Sequence, residues 1–545
     1  MDNLPGKLIT VYVLATLLAA GAGAGLVHRY RAALPRLMRA PVDGVASSGV
    51  THALPQPPRS LPPMPTPAQW RHAERRLIAG LLALSALIAL THGAITQWLY
   101  ADGPWSWPRF LLFSALLAWP ALPAIALLQR WSRLRLIAAL LAWYAAAWAL
   151  AMLRSTDAQS GLMVAAWLAF AMGPPTLALL LLTARATRAA APWLWPPLAL
   201  LCAAAIVGLD LLAWLVADHA AALMPLWAWL SPLWALLLFP LAVVALAWWP
   251  VGRFARGLAR AYAARRISEL MLLFTAAWAL NLTFDALSSG PWALLPLLWI
   301  PLALVVWARR QSNVDAARTP TLLVLRVFHQ DANVGALFDD VIERWRVVGQ
   351  TVLIAGTDVV GQTLDAADLF DYLDGRLAAR FVRCADDVPQ RLAAFDWLPD
   401  AERRWRVNEC YCHDSSWQAA LAALVQHADL VLMDLRGFQA HNAGCRFELG
   451  VLAAAPQLRR IVVLTDPSTE LAVAKADAAA GAPDRFVWIE LPAGATRRVA
   501  ARRVITALAS APGDASPSLD MSLARPPEEA RSRSAGPAEG RRVHQ

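Results

Sequence analysis

The chain has 545 residues, of which 58% are hydrophobic and 16% are charged, and its mean hydropathy is +0.44. Soluble domains average about 45–50% apolar and about 25% charged residues, so this composition excludes a wholly soluble protein. The net charge is +10, and in the first 310 residues the basic side chains cluster between apolar runs and not along one face. This distribution indicates membrane topology and argues against nucleic acid as a partner.

Residues 1–310 form the predicted multi-pass membrane domain, whose partner is the lipid bilayer. A run of about 17–25 apolar residues is long enough to cross the hydrocarbon core of a bilayer. We predict nine transmembrane helices here, and the eighth is the most polar and the best candidate for a re-entrant segment. They lie near residues 8–27, 77–99, 110–128, 134–153, 162–183, 193–216, 226–249, 267–287 and 292–308.

Arginine is concentrated in alternate loops between these runs, and the intervening loops carry almost none. Positive residues are retained on the cytoplasmic side of a membrane. The alternation therefore predicts a bacterial inner (plasma) membrane protein with its N-terminus outside, an odd number of spans and a cytoplasmic C-terminal domain. Within the fourth of these loops, the cationic stretch 250–266 is amphipathic enough to lie along the inner leaflet. The arginine-bearing loops are 29–76, 130–135, 185–188, 253–266 and 309–310.

Two further features of the membrane domain carry predictions. Residues 40–69 contain eight prolines, a density that predicts an extended cytosolic linker. Polar groups within a bilayer are costly and often functional, and of Asp210, Glu269, Asn281 and Asp285 only Asp210 lies deep in its predicted span. Asp210 therefore keeps a transporter among the possible functions.

Residues 320–510 form the predicted cytosolic α/β domain. Short β-branched or apolar runs alternate there with helical patterns at 336–349, 415–428 and 444–455. This rhythm predicts a mostly parallel sheet with helices on both faces, in a flavodoxin-like or Rossmann-like arrangement. Residues 511–545 lack periodicity and are predicted to be a disordered tail. The predicted strands are 321–328, 351–356, 405–412, 429–435, 460–466 and 486–491.

Aspartate follows four of the predicted strands, at Asp331, Asp358, Asp434 and Asp466. Ligands of open α/β sheets bind at the carboxyl ends of the strands, so the first three are candidate substrate-binding residues. The alternative is that each one caps a helix or forms a turn. Arg436 is a candidate for holding a phosphate with its guanidinium fork. No P-loop and no Gly-rich dinucleotide fingerprint follows a strand, so we expect no P-loop ATP hydrolysis.

The segment 429–453 carries the strongest functional signal. A buried strand ends at Asp434, a polar loop containing Asn442 follows, and Gly444 opens a helix that presents Glu448. The dipole and the free N–H groups at a helix N-terminus stabilise an ionised carboxylate, which suits a nucleophile or an electrostatic partner of a cationic transition state. The alternative is that Glu448 has no functional role and is a glutamate of the kind that is common in the first turn of a helix.

This segment, with its strand-Asp, loop and Gly-x-x-x-Glu-x-Gly pattern, resembles the active-site region of nucleoside 2-deoxyribosyltransferases and, more loosely, of TIR domains. The resemblance implies a flavodoxin-like core in which Glu448 is the catalytic carboxylate acting at the anomeric carbon of a nucleoside or of NAD. Asn442 and Gly444 would then contact the substrate. Two positions depart from the deoxyribosyltransferase pattern, since Asn442 replaces the usual Asp and Cys445 replaces a common Thr. These departures favour contact with a ribose over group transfer.

The run Cys410-Tyr411-Cys412-His413 has too few partners at zinc-site spacing. On a strand, Cys410 and Cys412 would face the same side, so we expect them to be buried as small hydrophobic residues and predict no metal and no cofactor. Five cysteines in a chain of this length do not form a disulfide framework, so reduced thiols are expected.

Three functions remain open at this point. The first is a membrane-tethered sensor or effector whose α/β domain binds a nucleotide, a nucleoside or NAD and acts as an N-glycosidase. The second is a non-enzymatic membrane protein whose α/β domain mediates protein interaction. The third is a transporter with a cytosolic regulatory domain. The sequence leaves the identity of the ligand and a homo-oligomeric state open.

Overall fold

The computed structural model describes most of the chain. Residues 40–61 of the predicted linker and the predicted tail at 511–545 lie outside the described residues, as do the loops after the first two strands, at 327–339 and 356–365. The described ranges are 4–38, 62–100, 104–154, 161–184, 187, 189–219, 231–309, 319–326, 340–355, 366–413, 415–479, 483–491 and 497–509.

The first part of the chain folds into long apolar helices. Seven helices in the described ranges are long and apolar enough to cross a membrane. The helices are α1 (Leu4–Met38), α2 (Pro67–Tyr100), α3 (Trp107–Leu116), α4 (Ala121–Leu128), α5 (Arg133–Arg154), α6 (Gly161–Leu182), α7 (Ala191–Asp218), α8 (Pro232–Ala263), α9 (Glu269–Ser289), a 3-10 helix (Pro291–Leu298) and α10 (Trp299–Arg309). The cationic stretch 250–266 is mostly a continuation of α8, so it does not form a separate interfacial helix.

The predicted count of nine spans is not confirmed. Helices α3 and α4 meet at an angle of 43° and reach the required length only when they are counted together, which gives up to eight spans. The segment predicted at 267–287 forms α9, but its described apolar part, Glu269–Thr283, falls short of a full span. Phe274 and Trp278 of α9 are almost completely buried, so neighbouring helices and not lipid surround this helix.

The bend between α3 and α4 explains why a polar residue, Asn281, lies within the apolar helix α9. The Trp119 Nε1–H donates a hydrogen bond of 2.7 Å to the Asn281 Oδ1, and the Asn281 Nδ2–H donates one of 3.3 Å to the carbonyl of Leu117. A break in an apolar helix frees backbone groups that cost several kcal/mol if they stay unsatisfied away from water. Asn281 therefore has a structural role at this bend.

One end of the helical bundle contacts the α/β domain, and we call it the proximal end. Tyr30, near the end of α1, lies 3.1 Å from Tyr411 between the two hydroxyl oxygens, whereas Trp70, at the start of α2, packs edge-on against Trp345. Arg130 directly follows α4 and pairs with Glu343. Helices α1 and α4 thus end at the domain and α2 begins there, so successive segments run in opposite directions.

The described part of the α/β domain contains seven parallel strands in the order β3-β4-β2-β1-β5-β6-β7. All six predicted strands are present, and β3, with only two residues, is the one the sequence did not predict. Without β3 the order is the 3-2-1-4-5-6 arrangement of doubly wound sheets and not the 2-1-3-4-5 order of flavodoxin-like domains. The strands are β1 (Thr321–Arg326), β2 (Gln350–Ala355), β3 (Phe381–Val382), β4 (Val407–Cys412), β5 (Leu430–Asp434), β6 (Arg460–Thr465) and β7 (Phe486–Glu490).

Different layers cover the two faces of this sheet, while α11 (Ala366–Leu373) packs through Phe370 against Trp193 and Tyr262 of the bundle. One face packs against α12 (Val388–Ala393), α13 (Trp417–His427), α14 (Ala443–Ala454) and α15 (Leu471–Ala478). The other face packs against a helical stretch at 340–345 and α16 (Arg497–Ala509), and its core continues without interruption into α1, α2 and α9. The membrane helices therefore supply part of the second helical layer that a parallel sheet needs.

Ion pairs fasten the bundle to the domain. Glu343 is 9% exposed and pairs with Arg130 of the bundle and with Arg346 and Arg404 of the domain. Burial, and secondarily the charge of Arg130, lowers the pKa of Arg404 to about 10, so this side chain stays protonated at neutral pH. A second junction joins Arg265, just after α8, to Asp396 at 2.5 Å.

The close approach of α7 and α8 depends on the absence of a side chain at Gly208. A Cβ atom there would lie 2.7 Å from the Cα of Pro240 and 2.9 Å from the carbonyl oxygen of Phe239. We expect Gly208→Ala to cost about 1–3 kcal/mol, because backbone must move to accept the methyl group. The measurement is the midpoint of thermal unfolding of the detergent-solubilised protein. Gly257→Ala in α8 is the control, because a Cβ there meets nothing within 4 Å, and an equal loss in both variants would contradict the prediction.

Removal of the central carboxylate should weaken the junction at Glu343. Glu343→Gln removes the carboxylate that pairs with Arg404, whose side chain is 4% exposed, and leaves the charge of Glu269 to compensate it. Breaking a buried pair in this way costs about 3–5 kcal/mol. We expect a lower unfolding midpoint and faster proteolytic release of the α/β domain. Asp374→Asn is the control, because it removes an exposed partner of Arg376 and should change stability by about 1 kcal/mol at most. Similar effects of the two substitutions would show that the junction is not held by Glu343.

Candidate functional site

The order of the strands places a candidate site at the carboxyl ends of β1 and β5. The chain passes from β1 to β2 on one side of the sheet and later enters β5 on the other side of β1. Ligands of open α/β sheets bind at such a reversal of strand order. Asp434, the last residue of β5, is in register with Arg326, the last residue of β1. The structure therefore brings Asp434 to the predicted edge.

Arg436 is turned back onto Asp434. Its Nε–H and Nη2–H donate hydrogen bonds of 2.9 and 2.7 Å to the two oxygens of the Asp434 carboxylate, and its backbone N–H donates a third, of 3.1 Å. This two-pronged contact occupies the fork that was predicted to hold a phosphate. Asp434 and Arg436 thus fix the loop that follows β5, and a phosphate would have to displace an existing ion pair.

A second aspartate fixes the same loop from the end of β6. Asp466 Oδ1 accepts hydrogen bonds from the backbone N–H of Gly437 and from the hydroxyls of Ser468 and Thr469. Partial burial raises the pKa of Asp466, but these hydrogen bonds outweigh it, so the pKa lies below its usual value. Gly437 has a φ of +74°, a conformation that favours glycine. Asp466 has the turn-forming role that was the alternative in the sequence, and the loop is preformed.

Asn442 and Gly444 lie at the start of α14, as predicted. The Asn442 Oδ1 accepts a 2.7 Å hydrogen bond from the backbone N–H of Gln439, so this side chain closes the loop and does not cap the helix. Gly444 is exposed, and a Cβ there would make only an ordinary contact with Trp417, at 3.9 Å. Both residues therefore lie at the start of α14, and their contact with a ligand remains a prediction.

Glu448 is enclosed by the domain. It is 6% exposed, and within the described part of the chain its Oε2 has no hydrogen-bond partner. Burial raises the pKa of Glu448 to about 8, with no charged neighbour as a further cause. The side chain is therefore mostly protonated at pH 7.

The protonated state of Glu448 corrects the expectation of an ionised carboxylate. Glu448 is the sixth residue of α14, beyond the first turn in which the helix dipole acts. Loss of hydration then dominates and favours the neutral acid. The neighbouring thiol of Cys445 is likewise buried, and burial, followed by the charge of Glu448, raises its pKa to about 12. Glu448 is thus suited to donate a proton and not to attack as a nucleophile.

Two predicted site residues cannot be placed against Glu448. Asp331 and Asp358 belong to the loops after β1 and β2, which lie outside the described residues. These loops follow the strands next to β5 in the sheet. Their contribution to the site stays a prediction.

Cys410 and Cys412 lie on one face of β4, as predicted. Their Sγ atoms are 3.8 Å apart in the core, and both are free thiols and not a disulfide. No group of three or more His, Cys, Asp or Glu side chains in the described ranges could hold a metal ion. Tyr411 points to the opposite face, where its hydroxyl lies 2.7 Å from an oxygen of Asp368 and 2.6 Å from one of Glu409. The single phenol hydrogen of Tyr411 cannot be donated to both carboxyl groups at once. A further proton must therefore be shared within this buried cluster, which the sequence did not reveal.

The candidate transport residue Asp210 is paired. Its Oδ2 lies 2.7 Å from the Nζ of Lys7, across the contact between α7 and α1. An opposite charge at this distance compensates an acidic group in an apolar helix. The pair gives Asp210 a structural role within the bundle.

Two large cavities lie where the bundle meets the domain, and neither was predicted from the sequence. One, of about 720 Å³, lies among the start of α2, Trp307 of α10 and the loop at 401–405. The other, of about 1000 Å³, lies among α7, α8 and the edge of the domain at β4. The helical spacing of Arg253, Arg256 and Arg260 was the available signal, because it places all three on one face of α8. Neither cavity is lined by Glu448.

The raised pKa of Glu448 predicts a pH dependence of stability. The folded protein binds a proton at Glu448 that the unfolded chain releases above about pH 4.5, so this residue lowers stability as the pH rises towards 8. We expect Glu448→Gln to gain stability over the unmodified protein between pH 5 and 8, with a constant difference above that range. The measurement is the unfolding midpoint at each pH. Glu490→Gln, at an exposed position, is the control, and parallel curves for Glu448→Gln and the unmodified protein would contradict the prediction.

Comparisons with known proteins leave the site to be argued from its own residues. No family model, no curated protein and no solved structure matches the chain. The resemblance of residues 429–453 to nucleoside 2-deoxyribosyltransferases and TIR domains therefore stays a prediction.

Proposed function

We propose that this chain is a multi-pass membrane protein whose α/β domain binds a nucleoside or nucleotide and hydrolyses its N-glycosidic bond, with Glu448 as the general acid. The observation that carries the proposal is the buried carboxyl of Glu448, whose pKa is raised to about 8, on the helix after the strand at which the strand order reverses. Strongly perturbed pKa values are concentrated at functional sites.

The proposed reaction needs one proton donor and one water molecule. Protonated Glu448 gives its proton to a ring nitrogen of the base as the bond to the anomeric carbon breaks, and the base leaves with the electron pair. Glu448, now ionised, stabilises the oxocarbenium ion and then accepts a proton from the water that attacks the anomeric carbon. The products are the free base and the sugar with a hydroxyl at that carbon, and Glu448 is protonated again.

The protonation state of Glu448 also selects between the candidate substrates. A purine or pyrimidine base leaves poorly unless it is protonated, so a neutral acid with a pKa near 8 suits it. The nicotinamide of NAD is already a cation and leaves as a neutral ring without a proton. The proposal therefore favours nucleosides or nucleotides over NAD.

The arrangement of the bundle supports a cytoplasmic domain and nine crossings. Arg130 and Arg265 lie in two of the arginine-bearing loops, and both contact the α/β domain. Trp193, at the start of α7, and Tyr262, at the end of α8, pack against Phe370 of the domain. We infer that the α3–α4 pair and α9 cross with the other helices, and that the arginine-rich, proximal end faces the cytoplasm of a bacterial cell.

The second candidate function is non-enzymatic coupling to a partner protein. Its support is the continuous core that joins β1, β2 and β4 to α1 and α2, because a domain fixed in this way transmits movements of the bundle. The pair between Lys7 and Asp210 offers no comparable support for transport. Full-length protein is the appropriate sample, since an isolated fragment at 320–510 would lose part of the cover of one sheet face.

The proposed activity is tested with the purified full-length protein, and release of the free base is measured by chromatography. We expect hydrolysis of purine or pyrimidine nucleosides or nucleotides in preference to NAD, and a rate that falls above about pH 8 as Glu448 ionises. Glu448→Gln should lower the rate by about 100-fold or more, which is the usual contribution of a general acid.

Glu490→Gln, at the exposed end of β7, is the matched control and should keep the full rate. Unchanged turnover in Glu448→Gln would remove this residue as the acid. The absence of both turnover and binding for every nucleoside, nucleotide and NAD tested would overturn the proposal and favour the coupling function.

A further inference from the structure

The cavity of about 1000 Å³ between the bundle and the α/β domain has an unusual charge distribution, and we call it the arginine cavity. Among the residues that the structure describes, eight arginines line it, against five acidic side chains. The arginines are Arg253, Arg256, Arg260, Arg265, Arg376, Arg380, Arg391 and Arg406. The acidic residues are Asp368, Asp371, Asp374, Asp396 and Glu409.

The acidic side chains are engaged by arginines or by a tyrosine of the domain edge. Asp396 pairs with both Arg265 and Arg406. Asp371 and Asp374 pair with Arg376, and Arg380 pairs with Asp368 and Asp371. Glu409 contacts the hydroxyl of Tyr411. Arg391 of the domain donates to the backbone carbonyl of Glu409 and lies over the ring of Phe395. Most of the positive excess therefore falls on the wall formed by α8.

Three arginines form that wall. Arg253, Arg256 and Arg260 are spaced by three and four residues, so they share one face of α8 across two turns. Within the ranges described above, none of them pairs with a carboxylate. Arg256 and Arg260 donate only their Nε–H groups, to backbone carbonyls one turn earlier, and Arg253 lies over the ring of Trp249 at 4.7 Å. Their terminal nitrogens are available to an anion.

We propose that the arginine cavity binds a phosphate-bearing anion, with Arg253, Arg256 and Arg260 as its ligands. A guanidinium group presents paired N–H donors that match the oxygens of a phosphate. Three such groups around one cavity neutralise a phosphate without any rearrangement of the domain's own ion pairs. This site is separate from Glu448 and does not depend on the proposed hydrolysis.

The position of the cavity along α8 favours the headgroup of an anionic phospholipid over a free phosphate. Trp248 and Trp249 are 67% and 64% exposed and end the apolar part of the helix, where tryptophan marks the membrane interface. The three arginines follow within the next turns, at the depth of the headgroups. Trp193, Leu194 and Pro197 of α7 add an apolar wall against which a glycerol backbone and acyl chains can pack.

The test uses the full-length protein in an uncharged detergent at constant ionic strength, with dioctanoyl phosphatidylglycerol as the probe and isothermal titration calorimetry as the readout. We expect saturable binding of this lipid. Arg256→Gln combined with Arg260→Gln should weaken it by about tenfold or more, because each arginine supplies charge-assisted hydrogen bonds to the phosphate. Neither arginine is paired with a carboxylate in the described ranges, so the variant should fold normally, as verified by its unfolding midpoint.

The matched control is Arg133→Gln combined with Arg135→Gln. These exposed arginines follow α4 at the same end of the bundle, and neither lines the cavity, so the control removes the same charge without touching the site. We expect its affinity to stay within about twofold of the unmodified protein, since a distant surface charge is screened by salt. Glu448→Gln should leave the affinity unchanged.

Competition by inorganic phosphate identifies the source of the anion. Weak competition, together with the effect of the α8 substitutions, supports a lipid ligand. Strong competition with the same dependence on Arg256 and Arg260 supports a soluble phosphate compound at the same site. A lack of saturable binding for both probes, or equal weakening in the two double variants, would overturn the proposal, because general attraction to the basic end of the bundle would then explain the result.

Discussion

The structure depends on one constraint, which is that a parallel sheet must bury both of its faces. The helices of the α/β domain cover one face fully, whereas the other is completed by α1, α2 and α9 of the bundle. Tyr411 of β4 shows the consequence, because its side chain is fully buried and reaches Tyr30 of α1. The sheet and the bundle therefore fold as one unit, and the domain is not a module attached by a linker.

The two proposed sites lie at different places relative to this shared core. Glu448 lies on the face that the domain covers with its own helices, and the loop beside it is fixed by Asp434, Arg436 and Asp466. The arginine cavity lies at the β3–β4 edge, against α7 and α8. In the sheet, β2 and β1 lie between β4 and β5, so the two proposed sites are at separate parts of the domain.

The sequence predicted the elements well and their relations less well. The six main strands and α13 and α14 follow from local alternation and periodicity, so the residues themselves specify them. The count of nine spans is not confirmed at α9, because an apolar run does not reveal whether lipid or protein surrounds it. The site showed the same limit, since the position of Glu448 was predicted, but its protonated state depends on burial by residues distant in the chain. The roles of Arg436 and Asp210 depended on Asp434 and Lys7, partners that become evident only in three dimensions.

The bundle and the domain both use arginine, and almost no lysine, as their basic residue. Only two of the 49 basic residues are lysines, and the reason is visible at Arg406, whose guanidinium serves Asp396, Asp400 and the carbonyl of Tyr262 together. A lysine has no planar fork for such a contact. Loops that set the proposed orientation by their positive charge thus also dock the domain, as Arg130 and Arg265 do. The same arginines therefore contribute both to the proposed orientation and to the docking of the domain.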